Sequence, residues 1–60
     1  MIDNLREERR KEVFRTLVAL QDDGCAADQS RVCVAAQFSI PVQDVRIVER
    51  EGLTKHWPPL

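Results

Sequence analysis

The sequence predicts an all-α fold in which three helices form a small bundle and the last two are arranged as a helix-turn-helix. Apolar residues recur every three or four positions in separate segments, which is the helical period. The second and third segments are joined by Ser39-Ile40-Pro41, which is long enough only for a sharp corner. The predicted helices, which lie in a single trihelical domain spanning 1–60, cover about residues 4–23, 28–38 and 41–51.

The first predicted helix, residues 4–23, carries its apolar residues mainly in its second half. Asn4 is placed to cap this helix, and Glu7 follows three residues later as in a capping box. The core-facing positions are Val13, Phe14, Leu17, Val18 and Leu20. The polar run REERRKE pairs opposite charges three and four residues apart, which favours a solvated helix start over an arm that contacts phosphate. Gly24 suits the left-handed position that ends a helix.

The second predicted helix, residues 28–38, begins near Asp28, a residue that favours the first turn. It places Val34, Ala35 and Phe38 on one apolar face. After the corner, Pro41 fits the first position of the third helix because a helix start needs no N–H there.

The third predicted helix, residues 41–51, has Asp44 in its first turn, where negative charge suits the helix dipole. Its inward-facing residues are predicted to be Ile40, Val45, Val48 and Leu53. Gly52 is predicted to stop it. Residues 54–60 then form a non-helical tail, which Pro58-Pro59 keeps extended.

Size and charge limit what the chain can do. A domain of 60 residues buries only about 60% of the surface that its unfolded chain exposes, so it is marginally stable. Nine basic residues stand against ten acidic ones, for a net charge of −1. Because phosphate neutralisation supplies much of the affinity of DNA-binding proteins, a balanced charge requires the basic residues to cluster.

Several classes of function are not expected. One His and two Cys residues, Cys25 and Cys33, lack the spacing of a zinc site, so we expect no metal and no cofactor. Ser30 and Ser39 have no His–Asp partners and there is no glycine-rich phosphate loop, so we expect no catalytic residue and no enzyme. No apolar run approaches the roughly 20 residues of a membrane span. With no predicted signal peptide, we expect a cytoplasmic protein with reduced thiols.

Residues 30–59 resemble the helix-turn-helix of region four of bacterial primary sigma factors. The resemblance is carried without a gap by Val34, Gln37-Phe38, Ile40, Val45-Arg46, Val48-Glu49, Leu53 and Lys55. The run DVRIVEREGL is similar to the end of that family's recognition helix. The tail WPPL resembles that of short stand-alone sigma-like helix-turn-helix proteins.

This resemblance implies that the third helix is a recognition helix. Its outward residues would be Val42, Gln43, Arg46, Ile47 and Arg50. Gln43 would pair with an adenine edge and Arg46 with guanine or phosphate. Arg50 and Lys55 would contact phosphate.

The chain also departs from the family in ways that bear on DNA contact. Val42 and Ile47 stand where region four carries polar side chains, and Asp44 replaces a basic residue. Arg31 stands at a position where the family has a buried Leu. Residues 41–51 carry a net charge of −1, with two Arg against three acidic residues. Arg46 and Arg50 therefore have two alternative roles, which are contact with nucleic acid or pairing with carboxylates of their own helix.

Two hypotheses follow for function. The first is a small bacterial DNA-binding protein, a dimeric transcriptional regulator that places the third helix in the major groove of double-stranded DNA. The alternative is a sigma-like protein-interaction module that docks on RNA polymerase or another regulator through Val42, Ile47 and Trp57. Trp57 either packs within the domain or homodimer, or anchors a second chain. An antitoxin-like role remains a third hypothesis.

Overall fold

A computed structural model describes residues 6–60 as three helices joined by short connections. The helices are α1 (Glu7–Asp22), α2 (Ala27–Phe38) and α3 (Val42–Lys55), and each packs against the other two. The predicted all-α three-helix fold is therefore confirmed. The predicted cap at Asn4 lies outside the described residues, and α1 begins at Glu7 after an extended Arg6. None of the three described helices has the length and apolar content needed to cross a membrane.

The core lies where the three helices meet. Its buried apolar residues come from all three helices and from the segment after α3: Val13, Phe14, Leu17, Val34, Ala35, Val45, Val48 and Trp57. The predicted core positions Val18, Leu20, Phe38 and Ile40 are only partly buried and pack against its edge. Full burial of one such side chain contributes roughly 1.5–3 kcal/mol, so this cluster is the main source of stability.

All three helices end with the same backbone arrangement, in which an N–H beyond the helix donates to a carbonyl five residues earlier. These N–H to carbonyl pairs are Cys25–Leu20 at 3.1 Å, Ile40–Ala35 at 3.0 Å and Trp57–Gly52 at 3.0 Å. The residue before each donor is left-handed: Gly24 (φ 97°), Ser39 (φ 56°) and His56 (φ 54°). Gly24 fills the predicted role, whereas Ser39 and His56 adopt a conformation that costs residues with a Cβ about 1–2 kcal/mol.

The predicted end of α3 is wrong. The helix continues through Gly52 to Lys55 and ends at the left-handed His56, so the tail begins at residue 56 rather than at 54. Gly52 is buried inside the helix, and a Cβ at this position would overlap the ring of Phe14. The glycine therefore permits close approach of α1 to α3 instead of stopping the helix.

Leu53 does not face inward as predicted, because its side chain is 54% exposed. The inner side of α3 is the line of Val45, Val48 and Gly52, which are spaced three and four residues apart. Since α3 stays helical past residue 52, Leu53 is turned about 100° away from that line.

The start of α3 differs from the prediction by one residue. Pro41 has an extended backbone (ψ 149°) and precedes the helix, which begins at Val42. The Pro41 carbonyl accepts hydrogen bonds from the N–H groups of Asp44 (3.0 Å) and Val45 (3.3 Å). Asp44 lies in the first turn as predicted, but it is buried and its Oδ2 has no hydrogen-bond partner within the described residues. Because Pro41 has no N–H, Asp44 cannot complete a capping box there.

Candidate nucleic-acid interface

One side of α3 forms a continuous exposed surface, which we call the outer face. Its side chains line a shallow open depression, and they are Val42, Gln43, Arg46, Ile47 and Arg50. Val42, Arg46 and Arg50 form one line along the helix, with a spacing of four residues, and Gln43 and Ile47 form the adjacent line. The inner line that packs in the core lies on the opposite side of the helix. The five residues predicted to face outward are thus brought together.

None of the three carboxylates of α3 lines the depression of the outer face, although Glu49 lines a neighbouring depression with Arg46 and Arg50. Asp44 is buried in the first turn, and Glu49 and Glu51 are each engaged by an arginine from another helix. This placement differs from the predicted alternative in which Arg46 and Arg50 pair with acids of their own helix. Although the helix carries more acidic than basic residues at 41–51, its exposed outer face carries positive charge alone.

Arg31 of α2 holds Glu49. Its Nε donates to Glu49 Oε1 at 2.9 Å, and its Nη1 donates to Asp28 Oδ1 at 2.9 Å. The hydrogen bond to Glu49 raises the pKa of Arg31. In the sequence, Arg31 is a departure from the sigma-factor pattern, and no ion pair was predicted for it. Its partner Glu49 lies 18 residues further along the chain, so the spacing of neighbouring residues could not predict this pair.

Arg10 of α1 holds Glu51. Its Nε donates to Glu51 Oε1 at 2.9 Å and its Nη2 to Glu51 Oε2 at 3.2 Å. Lys55 donates to the same Oε2 at 3.0 Å, and its Nζ lies 5.7 Å from the centre of the Trp57 ring. The hydrogen bond from Arg10 is the largest of the interactions that lower the pKa of Glu51, and the hydrogen bond from Lys55 lowers it further.

Lys55 does not share the outer face with the other predicted DNA contacts. It follows Arg46 by nine residues, which places it about half a turn around α3. Its ammonium group is committed to Glu51 and Trp57. The structure thus brings four of the five predicted DNA-binding residues together and separates the fifth.

Arg46 and Arg50 are exposed, and across residues 6–60 neither has an ion pair or side-chain hydrogen bond. Gln43 beside them is also exposed. Arginines in this state keep all their donors available for a ligand.

Trp57 is buried in the domain core. Its ring is 5% exposed and meets the ring of Phe14 edge to face, with centroids 6.2 Å apart and planes at 78°. The geometry agrees with packing within the domain, one of the two predicted alternatives for this residue. Unlike Val42 and Ile47, the Trp57 ring is not on the outer face.

The basic residues at the start of α1 do not extend the outer face into a continuous positive strip. Arg9 pairs with Glu12 at 3.1 Å and stacks on Phe38, and Lys11 pairs with Glu7 at 3.2 Å. This local pairing favours the solvated-helix interpretation of REERRKE.

The described residues hold no group of three or more His, Cys, Asp or Glu side chains placed to bind a metal ion. Cys25 and Cys33 are free thiols. Ser30 is buried; its hydroxyl donates to the Ala27 carbonyl at 2.7 Å and accepts from Gln21 at 3.2 Å. That serine is a packing residue which joins α1 to α2.

No family model matches the chain, no curated protein matches its sequence, and no solved structure matches it. The resemblance to region four of the sigma factors therefore stays a prediction.

Proposed function

We propose that this chain is a small bacterial DNA-binding protein, a transcriptional regulator that places α3 in the major groove. The observation that carries the proposal is the separation of charge on α3. Arg46 and Arg50 are exposed and unpaired within the described residues, while the carboxylates of the same helix are buried or paired with Arg10 and Arg31. A polyanion that approaches the outer face meets two unpaired arginines, and the nearby carboxylate of Glu49 is already paired with Arg31.

The dimensions of the outer face agree with this role. Val42 to Arg50 spans nine residues, roughly 12 Å along the helix axis, which corresponds to three or four base pairs. The major groove, about 12 Å wide, admits one α-helix. In this arrangement Gln43 pairs with an adenine edge, Arg46 with guanine or phosphate, and Arg50 with phosphate.

We propose a homodimer as the DNA-bound form. An outer face of five side chains covers about one half-site, and two copies related by a two-fold axis would double the phosphate contacts. Dimerisation would also add buried surface to a chain too short to bury much alone.

The second candidate function is a sigma-like interaction module that docks on RNA polymerase or another regulator. The observation that favours it is the exposure of two apolar side chains on the outer face, Val42 at 39% and Ile47 at 43%. Exposed apolar side chains grouped on one surface are typical of protein contacts.

Fluorescence anisotropy with labelled genomic duplex fragments at low salt tests the proposal. We expect salt-sensitive binding, and we expect Arg46→Ala to weaken it by about 1–3 kcal/mol if this side chain reads a base. Arg15→Ala is the matched control, because Arg15 is an exposed arginine of α1 outside the outer face. It removes the same charge and should change affinity far less.

The two candidate functions give different results. Absence of duplex binding at low salt, with or without a dimer in solution, overturns the DNA proposal. Recovery from lysate of RNA polymerase that survives nuclease treatment and is lost in Ile47→Ala supports the interaction module.

A further inference from the structure

We propose that Val42 and Ile47 make the outer face a reader of thymine methyl groups, so that the preferred duplex carries thymine within the base pairs that α3 covers. This inference rests on the proposed DNA-binding function. It names the feature of DNA that the two apolar side chains recognise.

The positions of the two side chains carry the inference. Val42 and Ile47 are 39% and 43% exposed. Each lies one helical turn from a side chain that is proposed to contact a base. Arg46 follows Val42 by four residues, and Gln43 precedes Ile47 by four. Neighbours at this spacing have Cβ atoms about 5–6 Å apart, so a side chain that contacts a base edge brings its apolar neighbour into the groove.

The chemistry of the major groove supplies the partner. Thymine presents a methyl group at C5 there, and apolar side chains contact it, whereas cytosine has no methyl group at that position. Burying one methyl-sized group against an aliphatic side chain corresponds to about a four-fold gain in affinity. An apolar residue on a recognition helix thus contributes sequence preference without a hydrogen bond.

Charge favours DNA over a second copy of this chain as the occupant. If two outer faces packed together, Arg46 and Arg50 would lie opposite arginines of the other copy, and such like-charge contacts are unfavourable. Phosphates on both sides of the groove would instead neutralise them. The face also has only five residues, whereas a stable protein interface engages roughly 20–30 residues on each side.

The test uses duplexes selected by the wild-type protein from a random double-stranded library. In the tightest binder, each thymine is replaced in turn by deoxyuridine, which lacks only the C5 methyl group. We expect at least one replacement to weaken binding by about four-fold, the effect of one buried methyl group.

Variants then assign the effect to a side chain. In Ile47→Ala or Val42→Ala, the thymine and deoxyuridine duplexes should bind equally at the position that each residue contacts. Val32→Ala is the matched control, because Val32 is a 56% exposed apolar residue on α2. It should retain the full thymine preference, and circular dichroism should show that all three variants fold.

Each result has a distinct meaning. If the wild type binds every deoxyuridine duplex as well as its parent, the inference is wrong while DNA binding stands. If no duplex is selected, the proposed function and the inference both fail. If Ile47→Ala shifts the sedimentation of the protein towards smaller species but leaves thymine preference unchanged, the side chain contacts a second copy and the inference is wrong.

Discussion

The two sides of α3 differ in what their side chains contact, although they belong to one 14-residue helix. On the inner side, Val45 and Val48 are fully buried, and Gly52 meets the ring of Phe14. On the outer face, Arg46 and Arg50 contact no acid within the described part of the chain. The net charge of a helix therefore says little about the charge of its exposed side.

Between these two sides lie the paired carboxylates. Glu49 and Glu51 are bound by Arg31 and Arg10, and the side chains in both pairs are about one-fifth exposed. The pairs join α3 to α2 and α1, and they also neutralise two carboxylates on the helix that carries the outer face. Substitutions on the inner side should therefore change stability, substitutions on the outer face should change binding, and substitutions in the pairs should change both.

The largest effect is expected at the ring that closes the core. Trp57→Ala removes a 5% exposed ring from its contact with Phe14, and such truncations cost about 3–5 kcal/mol. A chain of this size has little more stability than that, so the variant should be largely unfolded by far-ultraviolet circular dichroism. Leu60→Ala, at a 58% exposed position of the same tail, should stay within about 0.5 kcal/mol of wild type. Equal melting of Trp57→Ala and wild type would contradict this role for the ring.

Gly52→Ala separates the helix-stop interpretation from the close-packing interpretation. Ala is the better helix former by about 1 kcal/mol, but its Cβ would overlap the Phe14 ring. We expect a net loss of about 1–3 kcal/mol in the free energy of urea unfolding, as in other overpacked cores. Thr54→Ala, two residues along the same helix and exposed, serves as the control and should be nearly neutral. A Gly52→Ala variant more stable than wild type would show that Phe14 moves aside at little cost.

The Arg10–Glu51 pair predicts a dependence of stability on pH. Because folding lowers the pKa of Glu51 from its usual value of about 4.5, the pair's contribution is full above that value and is lost as pH falls through the lowered pKa. Both side chains are about one-fifth exposed, so the contribution should be about 1 kcal/mol or less. Urea unfolding between neutral and acidic pH should show this decline in wild type and a smaller decline in Glu51→Gln.

The control for that measurement is Glu8→Gln, which changes an exposed carboxylate of α1. Its stability should decline with falling pH as the wild-type stability does. If Glu51→Gln and wild type follow the same pH profile, the pair does not contribute to the acid response.

The smallest effect tests whether Arg31 keeps Glu49 from the outer face. In Arg31→Ala, Glu49 is released and can pair with Arg46, three residues earlier on the same helix. Such pairs have energies that correspond to about a two-fold change, so duplex affinity measured by anisotropy should fall by about two-fold. Adding Glu49→Gln should restore it. If the double variant binds DNA as weakly as Arg31→Ala, Arg31 contacts the DNA itself.

Local pattern was a good guide wherever structure depends on neighbouring residues. The apolar spacing predicted the core positions Val13, Phe14, Leu17, Val34, Val45 and Val48, all of which are buried. The corner at residues 39–41 and the left-handed Gly24 were also predicted correctly. The five residues that the resemblance assigned to the outward side of the third helix also lie together on one side of α3.

Contacts between distant residues were not predictable in this way. A glycine near an apparent helix end indicated a stop, because nothing local shows that Phe14 packs on Gly52 from 38 positions away. Leu53 was assigned to the core for the same reason, since the continuation of α3 turns it outward. The proximity of acids to Arg46 and Arg50 in the sequence suggested pairing within the helix, but partners 18 and 41 residues away hold those acids instead.

The sequence by itself determined three helices, their approximate bounds and their shared core, because helical period and apolar burial are encoded over a few residues. Only the tertiary structure decided that α3 runs through Gly52 to Lys55, that Trp57 completes the core, and that Arg10 and Arg31 bind Glu51 and Glu49. The physical reason is that packing and ion pairs between helices depend on distances in the folded protein. The separation of two residues along the chain does not predict those distances.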